Sequence, residues 1–136
     1  MAEFLDSNIV LYALGDDDAK RTIASRLMAT WPVISTQVIN ECSHVLRRKL
    51  KLPANKVAEE MELVMVVARV QNVGLDEIRG AWQIAARYGF GHYDSLIVAT
   101  ALSAHCSTLY SEDLQHGQII DDRLTVINPF RSAPPL

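Results

Sequence analysis

Cysteine is scarce in this chain, and its two cysteines do not suggest a cross-link. Cys42 and Cys106 lie far apart in the sequence, form no CxxC pair and stand in apolar segments with helical spacing. Their arrangement therefore does not indicate a disulfide framework of the kind found in small secreted domains. We expect two buried free thiols in a protein of the reducing cytoplasm.

Long hydrophobic runs are also missing. Hydrophobic residues make up 49% of the 136 residues and charged residues 21%, which is typical of a globular chain. The longest apolar stretches are interrupted by Glu, Arg or Gln, so no membrane-spanning segment is expected. The first residues include Glu3 and Asp6 and no basic region, unlike a secretory signal. We expect one domain over residues 1–131 and a loose tail over residues 132–136.

Positive charge is not in excess. The net charge of −3 and the pI of about 5.7 are not the usual signature of a nucleic-acid binder, and they argue against strong non-specific binding. The local exception is a basic cluster formed by Arg47, Arg48, Lys49 and Lys51. These side chains either complement the negative end of a helix or contact phosphate groups, and the sequence leaves both interpretations open.

Familiar motifs for zinc and calcium are absent as well. The four histidines show neither HxxxH nor HExxH spacing. The acidic run from Asp16 to Asp18 lacks the glycine and the bidentate glutamate of a calcium loop, and it is typical of the start of a helix. A metal site in this chain would therefore have to be built from residues that are distant in sequence.

What the chain does contain is an alternation of short apolar strands and helices. Strands are predicted at residues 2–6, 32–35, 69–73, 108–110 and 124–127. Helices are predicted at residues 9–14, 16–28, 36–50, 53–66, 76–88 and 93–104, with Thr36 and Asp76 as caps of the third and fifth. This order predicts an α/β fold with a parallel sheet between two layers of helices.

Four acidic residues stand beside the most apolar of these segments: Asp6, Glu41, Asp94 and Asp113. Ligands of parallel α/β sheets bind outside the carboxyl ends of the strands, where such acids could meet. Two carboxylates 4 Å apart repel each other by roughly 4 kcal/mol at an effective dielectric constant near 20, and a divalent cation relieves that repulsion. An all-oxygen ligand set suits Mg²⁺ or Mn²⁺.

Each acid also has an ordinary structural explanation. Asp6 and Asp94 can be capping residues of the helices that follow them. Glu41 can be a solvated side chain paired with Arg48 on the same helix. Only convergence of the four acids in space would favour the metal site over these explanations.

The residues around the acids resemble PIN-domain ribonucleases, and in particular bacterial toxins of the VapC type. The resemblance extends from Glu3 to about Phe130. It is carried by the segments Phe4-Leu5-Asp6-Ser7-Asn8, His92-Tyr93-Asp94-Ser95-Leu96-Ile97-Val98-Ala99, Leu109-Tyr110-Ser111-Glu112-Asp113-Leu114 and Asn128-Pro129-Phe130, together with Glu41. It implies a three-layer α/β/α fold with a five-stranded parallel sheet in the order 3-2-1-4-5. It also implies Mg²⁺- or Mn²⁺-dependent endonucleolytic cleavage of single-stranded RNA that leaves a 5′-phosphate and a 3′-hydroxyl.

The resemblance also assigns roles to individual positions. The catalytic, metal-binding acids would be Asp6, Glu41, Asp94 and Asp113, the last of which the neighbouring Glu112 could replace. Supporting polar groups would be Asn8, Thr36 and Ser111, and weaker candidates for RNA contact are Arg47, Arg48 and Lys49. The implied partners are the RNA substrate, a cognate antitoxin and a second copy of the chain, for which Val57–Val67 offers apolar surface.

Other functions fit the sequence less well. A receiver-type signalling domain would need an acid pair after the first strand and a lysine after the last, but Asn128 ends the last strand. A hydrolase with an aspartyl nucleophile would need Asp-x-Asp after the first strand, where Asn8 replaces the second aspartate. A catalytically inactive PIN-like binding module remains an alternative that the sequence does not exclude.

Overall fold

The computed structural model describes residues 2–131, so the expected loose tail at residues 132–136 lies outside the described residues. The strands are β1 (Ala2–Leu5), β2 (Val33–Ser35), β3 (Arg69–Gln71), β4 (Cys106–Tyr110), β5 (Ile119–Ile120) and β6 (Leu124–Ile127). The helices are α1 (Ser7–Leu14), α2 (Asp18–Met28), α3 (Thr36–Arg48), α4 (Ala54–Val67), α5 (Leu75–Tyr88) and α6 (His92–Ser103). None of the helices in the described part of the chain has the length and apolar character needed to cross a bilayer.

The sheet has the strand order β3-β2-β1-β4-β6-β5. The first five strands of this list are parallel, which confirms the predicted order 3-2-1-4-5, since β6 is the fifth predicted strand. The prediction of five strands omitted β5, which pairs with β6 in the antiparallel direction. Because β5 is only two residues long, it shows none of the alternation by which a strand is recognised in a sequence.

Both faces of the sheet are covered. Successive strand residues point to opposite faces, yet Phe4 and Leu5 are both fully buried. All three residues of β2 are buried too. This burial pattern is typical of a parallel sheet packed between two layers of helices.

The strand order reverses between β1 and β4. The chain leaves β1 toward β2 and β3 on one side, while β4 pairs with β1 on its other side, with Phe4 opposite Leu109. Asp6 follows β1 directly, and its backbone N–H donates to the Tyr110 carbonyl at 3.0 Å. The residues after β1 and β4 therefore lie at the switch point where ligands of such sheets bind.

The helix that carries Asp94 is the most deeply buried helix. Ser95 and the seven residues that follow it are all buried, as the apolar character of the predicted helix indicated. Its partner α5 packs closely against it, since a Cβ added at Gly80 would lie 3.3 Å from the Ala99 Cβ. The N-terminus of α6 is thus held in a fixed position by packing on several sides.

Two predicted helix caps are wrong by one or two residues. Ser35 caps α3 by accepting from the Val38 N–H at 3.2 Å, while the Thr36 hydroxyl accepts from the Val73 N–H at 3.1 Å. Helix α5 begins after Gly74 rather than at Asp76, and the Gly74 N–H donates to the Glu77 carboxylate at 2.8 Å. At the start of α3 both Ser35 and Thr36 have side chains that can cap a helix, and the side chain that caps it belongs to the last residue of β2.

Candidate functional site

Asp6 is a buried helix cap. It is 4% exposed, and its Oδ1 accepts from the Ser7 N–H at 2.7 Å at the start of α1. Its Oδ2 accepts from the Ser111 hydroxyl at 2.9 Å. The pKa of the Asp6 carboxyl is raised from 3.8 to about 6, mainly because the group is buried; the hydrogen bonds from Ser111 and Ser7 oppose this rise, and the nearby acids Asp113 and Glu41 add to it. Asp6 therefore caps its helix, as the ordinary explanation held, but it does so at an electrostatic cost that capping does not require.

Asp113 is linked to Asp6 through Ser111. The Asp113 N–H donates to the Ser111 hydroxyl at 3.2 Å, and Ser111 is fully buried. The Asn8 side-chain amide donates to both Asp113 carboxylate oxygens, at 3.2 and 3.4 Å. Two of the three predicted supporting residues, Asn8 and Ser111, thus contact the predicted acids directly.

Glu41 and Asp94 belong to the same electrostatic cluster. Partial burial raises the pKa of the Glu41 carboxyl, as do Asp94 and Asp113, while polar groups of Gln37 and Ser7 lower it. Partial burial also raises the pKa of Asp94, with a further contribution from Asp113. Since these residues come from α3, α6 and the loop after β4, acids that are distant in sequence are brought close enough to act on one another.

No cationic side chain offsets this cluster. The ion pairs formed within residues 2–131 involve five other acids, and Glu41 is not among them, so the predicted pair with Arg48 does not form. Asp6 and Asp113 are compensated by hydrogen bonds from neutral groups, since Ser7 and Ser111 donate to Asp6 and Asn8 donates to Asp113.

A groove of about 720 Å³ opens beside the acids. Its lining residues are Ser7, Asn8, Leu11, Thr36, Gln37, Asn40, Glu41, His44, Val45, Val73, Tyr93, Leu96 and Asp113. Asp6 and Asp94 do not line it themselves, but their chain neighbours Ser7 and Tyr93 do. The groove is thus bordered by the acids Glu41 and Asp113, while the side chains of Leu11, Val45, Val73 and Leu96 give it apolar wall.

The donor chemistry of the cluster suits a hard cation. Its four carboxylates offer only oxygen ligands, which Mg²⁺ and Mn²⁺ prefer. As the side chains stand, however, residues 2–131 contain no group of three or more His, Cys, Asp or Glu that could hold an ion. The residues fit such a cation in the type of ligand atom and in charge, but the present arrangement of the side chains does not by itself form a complete ligand shell. Water ligands, which Mg²⁺ usually retains, or rotation of an acid would be needed to complete its shell.

Glu112 has a different environment from Asp113. Its Oε2 accepts from the Lys20 ammonium at 2.7 Å, and its Oε1 accepts from the Tyr12 hydroxyl at 2.7 Å. Partial burial acts to raise the pKa of Glu112, but the hydrogen bonds from Lys20 and Tyr12 outweigh it and lower the pKa. Of the two adjacent acids, Glu112 is neutralised by a cation, and Asp113 is the one that borders the groove.

The basic cluster lies at the end of α3, two turns beyond Glu41. Arg47 is held by the chain itself, since its guanidinium donates to the Leu52 carbonyl at 3.2 Å. Arg48 and Lys49 are exposed. This position satisfies the helix-end explanation of the cluster, and the exposed side chains of Arg48, Lys49 and Lys51 are accessible to a ligand.

Sequence reasoning missed several polar residues of the groove, among them Gln37 and Tyr93. Gln37 is 9% exposed, its amide donates to the Tyr93 carbonyl at 3.2 Å, and its buried Oε1 has no hydrogen-bond partner among the described residues. Tyr93 is 67% exposed although it directly precedes Asp94. A signal was available for Gln37, because it lies four residues before Glu41 and thus on the same face of the helix.

Comparison with solved structures gives several similar folds. A toxin–antitoxin complex from Klebsiella pneumoniae matches with a TM-score of 0.71 and 16% identity, covering 95% of this chain and 98% of that chain. VapC20 from Mycobacterium tuberculosis, described as a sarcin–ricin loop cleaving toxin, matches with a TM-score of 0.67 and 22% identity, covering 82% and 90%. FitAcB from Neisseria gonorrhoeae matches with a TM-score of 0.66 and 18% identity, covering 96% and 99%.

At these identities the structural similarity establishes the fold alone. A search of curated proteins gives no match. The sequence itself matches the model of the PIN domain over residues 4–119, which is most of the chain and contains all four candidate acids. This protein therefore belongs to the PIN domain family.

Proposed function

We propose that this protein is a Mg²⁺- or Mn²⁺-dependent endoribonuclease that cleaves single-stranded RNA and acts as the toxin of a type II toxin–antitoxin pair. One observation carries the proposal. Asp6, Glu41, Asp94 and Asp113 come from four separate parts of the chain and lie at or next to one groove; the pKa values of Asp6, Glu41 and Asp94 are each raised by burial and by at least one other acid of the set, and within residues 2–131 none of the four pairs with a cation. Clusters of acids with perturbed pKa values in a cleft are typical of functional sites.

In this proposal the four acids have different roles in binding the cation. Asp6 and Asp94 would hold the main ion, and Glu41 and Asp113 would complete its surroundings or hold a second ion. When bound, the ion lowers the pKa of a water ligand and withdraws negative charge from the scissile phosphate. Asn8 would orient the Asp113 carboxylate through the hydrogen bonds that it donates, and Ser111 would keep Asp6 and Asp113 at a fixed separation.

The shape and charge of the groove support an RNA substrate. The acids that border it would hold the cation that contacts the phosphate, while the exposed ring of Tyr93 and the apolar wall suit an unpaired base. Arg48 and Lys49 would attract the RNA backbone at the far end of α3. The structurally similar VapC20 is described as a toxin that cleaves the sarcin–ricin loop, and a loop is a substrate whose bases are accessible.

Two protein partners belong to the proposal. The structural similarity to a toxin–antitoxin complex supports a cognate antitoxin that covers the groove and inhibits cleavage. The family resemblance supports a homodimer, for which α4 presents the exposed apolar side chains of Leu63, Val66 and Val67. Neither partner adds a residue to the acidic cluster in this proposal.

The test is cleavage of a fluorescent, unstructured RNA oligonucleotide in Mg²⁺ or Mn²⁺, with EDTA as the blank. We expect Asp94→Asn and Asp113→Asn to reduce cleavage by more than the roughly 10- to 100-fold typical of losing a supporting group of a metal site. Asp76→Asn is the matched control, because Asp76 lies in the first turn of α5 with a side chain that is 94% exposed.

Full activity of Asp94→Asn would remove that residue from the mechanism. A wild-type protein that binds RNA or an antitoxin but cleaves nothing in either metal would favour the non-catalytic binding module instead.

A further inference from the structure

The Glu112 carboxylate lies at the centre of a compact cluster outside the groove. It receives hydrogen bonds from the Lys20 ammonium and the Tyr12 hydroxyl, and Lys20 also donates to that hydroxyl at 2.9 Å. The Lys20 ammonium lies 4.3 Å from the centre of the Tyr12 ring and 5.2 Å from that of Phe130. The two rings pack edge to face at 4.8 Å. All three pairwise contacts of the polar triangle are therefore made, and aromatic rings cover the cation.

This cluster joins four segments that are distant in sequence. Tyr12 belongs to α1, Lys20 to α2, Glu112 to the loop after β4, and Phe130 to the segment after β6. The last two segments are also joined by a second contact, because the Asn128 N–H donates to His116 Nδ1 at 3.0 Å. The loop that follows β4 and the segment after β6 thus form one structural unit, made of residues 111–117 and 128–130.

Asp113 is the next residue after Glu112, and α1 holds both. Tyr12 binds Glu112, while Asn8, one helical turn earlier, binds Asp113. The two adjacent acids are therefore fixed by two side chains of one rigid helix. Loss of the Glu112 contacts would leave the position of Asp113 to Asn8 and to the Ser111 hydroxyl alone.

We infer that Glu112 is a positioning residue rather than a metal ligand, and that the Glu112–Lys20–Tyr12 cluster holds the loop in the conformation that presents Asp113 to the groove. This inference rests on the proposed function for its catalytic meaning. Its structural content, the immobilisation of residues 111–113 by Lys20, does not depend on that function.

Hydrogen exchange of two amides in the full-length, metal-free protein tests the structural content. The Ser111 N–H donates to the Ile127 carbonyl at 3.0 Å, and the Asp113 N–H donates to the Ser111 hydroxyl. We expect Lys20→Met and Glu112→Gln each to accelerate exchange at both amides by roughly 10- to 150-fold, the effect of losing a charge-assisted hydrogen bond. The double variant should exchange no faster than the more affected single variant, because both substitutions break the same contact.

Arg21→Met is the matched control. Arg21 is the next residue of α2 and pairs with Asp18 at 2.7 Å within that helix, so its loss removes an ion pair without touching the loop. Lys20→Arg retains the charge and should restore much of the protection. Thermal melting of each variant shows that it is folded before exchange is compared.

Titration with Mn²⁺ and steady-state cleavage complete the experiment. We expect Lys20→Met and Glu112→Gln to weaken Mn²⁺ binding and cleavage in parallel, while Arg21→Met changes neither. Unchanged exchange in Lys20→Met and Glu112→Gln overturns the inference. Weakened Mn²⁺ binding in Glu112→Gln alone also overturns it, because that result makes Glu112 a ligand. Accelerated exchange in variants of a protein that cleaves no RNA supports the inference on the loop and refutes only the proposed function.

Discussion

Replacing Asp6 by asparagine should make the metal-free protein more stable at neutral pH while abolishing its activity. Asparagine caps helices about as well as aspartate, so the bond from the Ser7 N–H is retained. The side-chain amide can also donate to the Ser111 hydroxyl, which now donates to Asp6. The substitution therefore removes a buried negative charge and little else.

The size of the effect follows from the pKa of Asp6. Raising a pKa from 3.8 to about 6 means that the folded protein disfavours the ionised carboxyl by about 3 kcal/mol. Because the folded state binds the proton more tightly than the unfolded state, protonation of Asp6 stabilises the folded protein, and this contribution to stability is fully present below about pH 3.8. It is lost as the pH rises through about 6. Asparagine is an imperfect copy of the protonated acid, so we expect a gain of about 1–3 kcal/mol above pH 7.

Urea denaturation in EDTA buffers between pH 4.5 and 8 measures this gain. The difference in unfolding free energy between Asp6→Asn and wild type should be small at the acidic end and should grow until about pH 7. Asp17→Asn is the matched control, because Asp17 also caps a helix, through the Lys20 N–H at 3.2 Å, but is exposed. Its effect should stay within a few tenths of a kcal/mol and show no such trend.

Addition of Mg²⁺ should reverse the order of the two proteins. Wild type should gain stability by mass action, about 1.4 kcal/mol for each tenfold excess of ion over its dissociation constant, whereas Asp6→Asn should gain much less. An Asp6→Asn protein that is no more stable than wild type in EDTA at pH 7.5 would refute the reasoning. A stability difference that is independent of pH would refute it equally.

Three further predictions concern other parts of the molecule. Tyr93→Ala should raise the KM for RNA by roughly 5- to 150-fold, which is the equivalent of one stacked base, whereas Tyr93→Phe should leave the KM nearly unchanged. Steady-state cleavage measures both values, and an equal rise of the KM in both variants would contradict stacking. Burial raises the pKa of the Cys42 thiol to about 12 and that of Cys106 to about 11, so iodoacetamide at pH 8 should label neither in the native protein and both in urea, as counted by mass spectrometry. If α4 forms the proposed homodimer, Leu63→Glu should yield a monomer by light scattering while exposed Leu75→Glu should not; a dimer that survives Leu63→Glu would exclude this face.

The strands, the helices and the positions of the acids could be predicted because each depends on local patterns, whereas the order of the strands was implied by the family resemblance. Apolar strands and helical spacing are visible within ten or twenty residues, and an acid next to an apolar segment is conspicuous wherever it stands. The family motifs then linked these local features into one fold. The two-residue strand β5 and the exact helix caps could not be predicted in this way, since neither leaves a periodic signal.

The partners of the site residues depend on contacts that no local pattern contains. Asn8 and Asp113 are 105 residues apart, and Gln37 and Tyr93 are 56 residues apart. The sequence could not distinguish Glu112 from Asp113, which are adjacent and chemically alike. The distinction arises because Lys20 reaches one of them and Asn8 the other, and this depends on how α1 and α2 pack beside the loop.

The distribution of ion pairs gives a reason to regard the four acids as functional that is independent of the family. Glu112, with a side chain only 26% exposed, is paired with Lys20, and Asp121, at 28%, is paired with Arg87. Other partly buried acids have hydrogen bonds from neutral groups instead, since Tyr110 donates to Glu3 and Ser103 donates to Glu77. Asp6 is more deeply buried than Glu112 or Asp121, and it forms no ion pair with any residue in the described part of the chain. An asparagine would cap α1 without the free-energy cost of burying a negative charge. A carboxylate at this position is therefore explained by a cation that binds to it from solution.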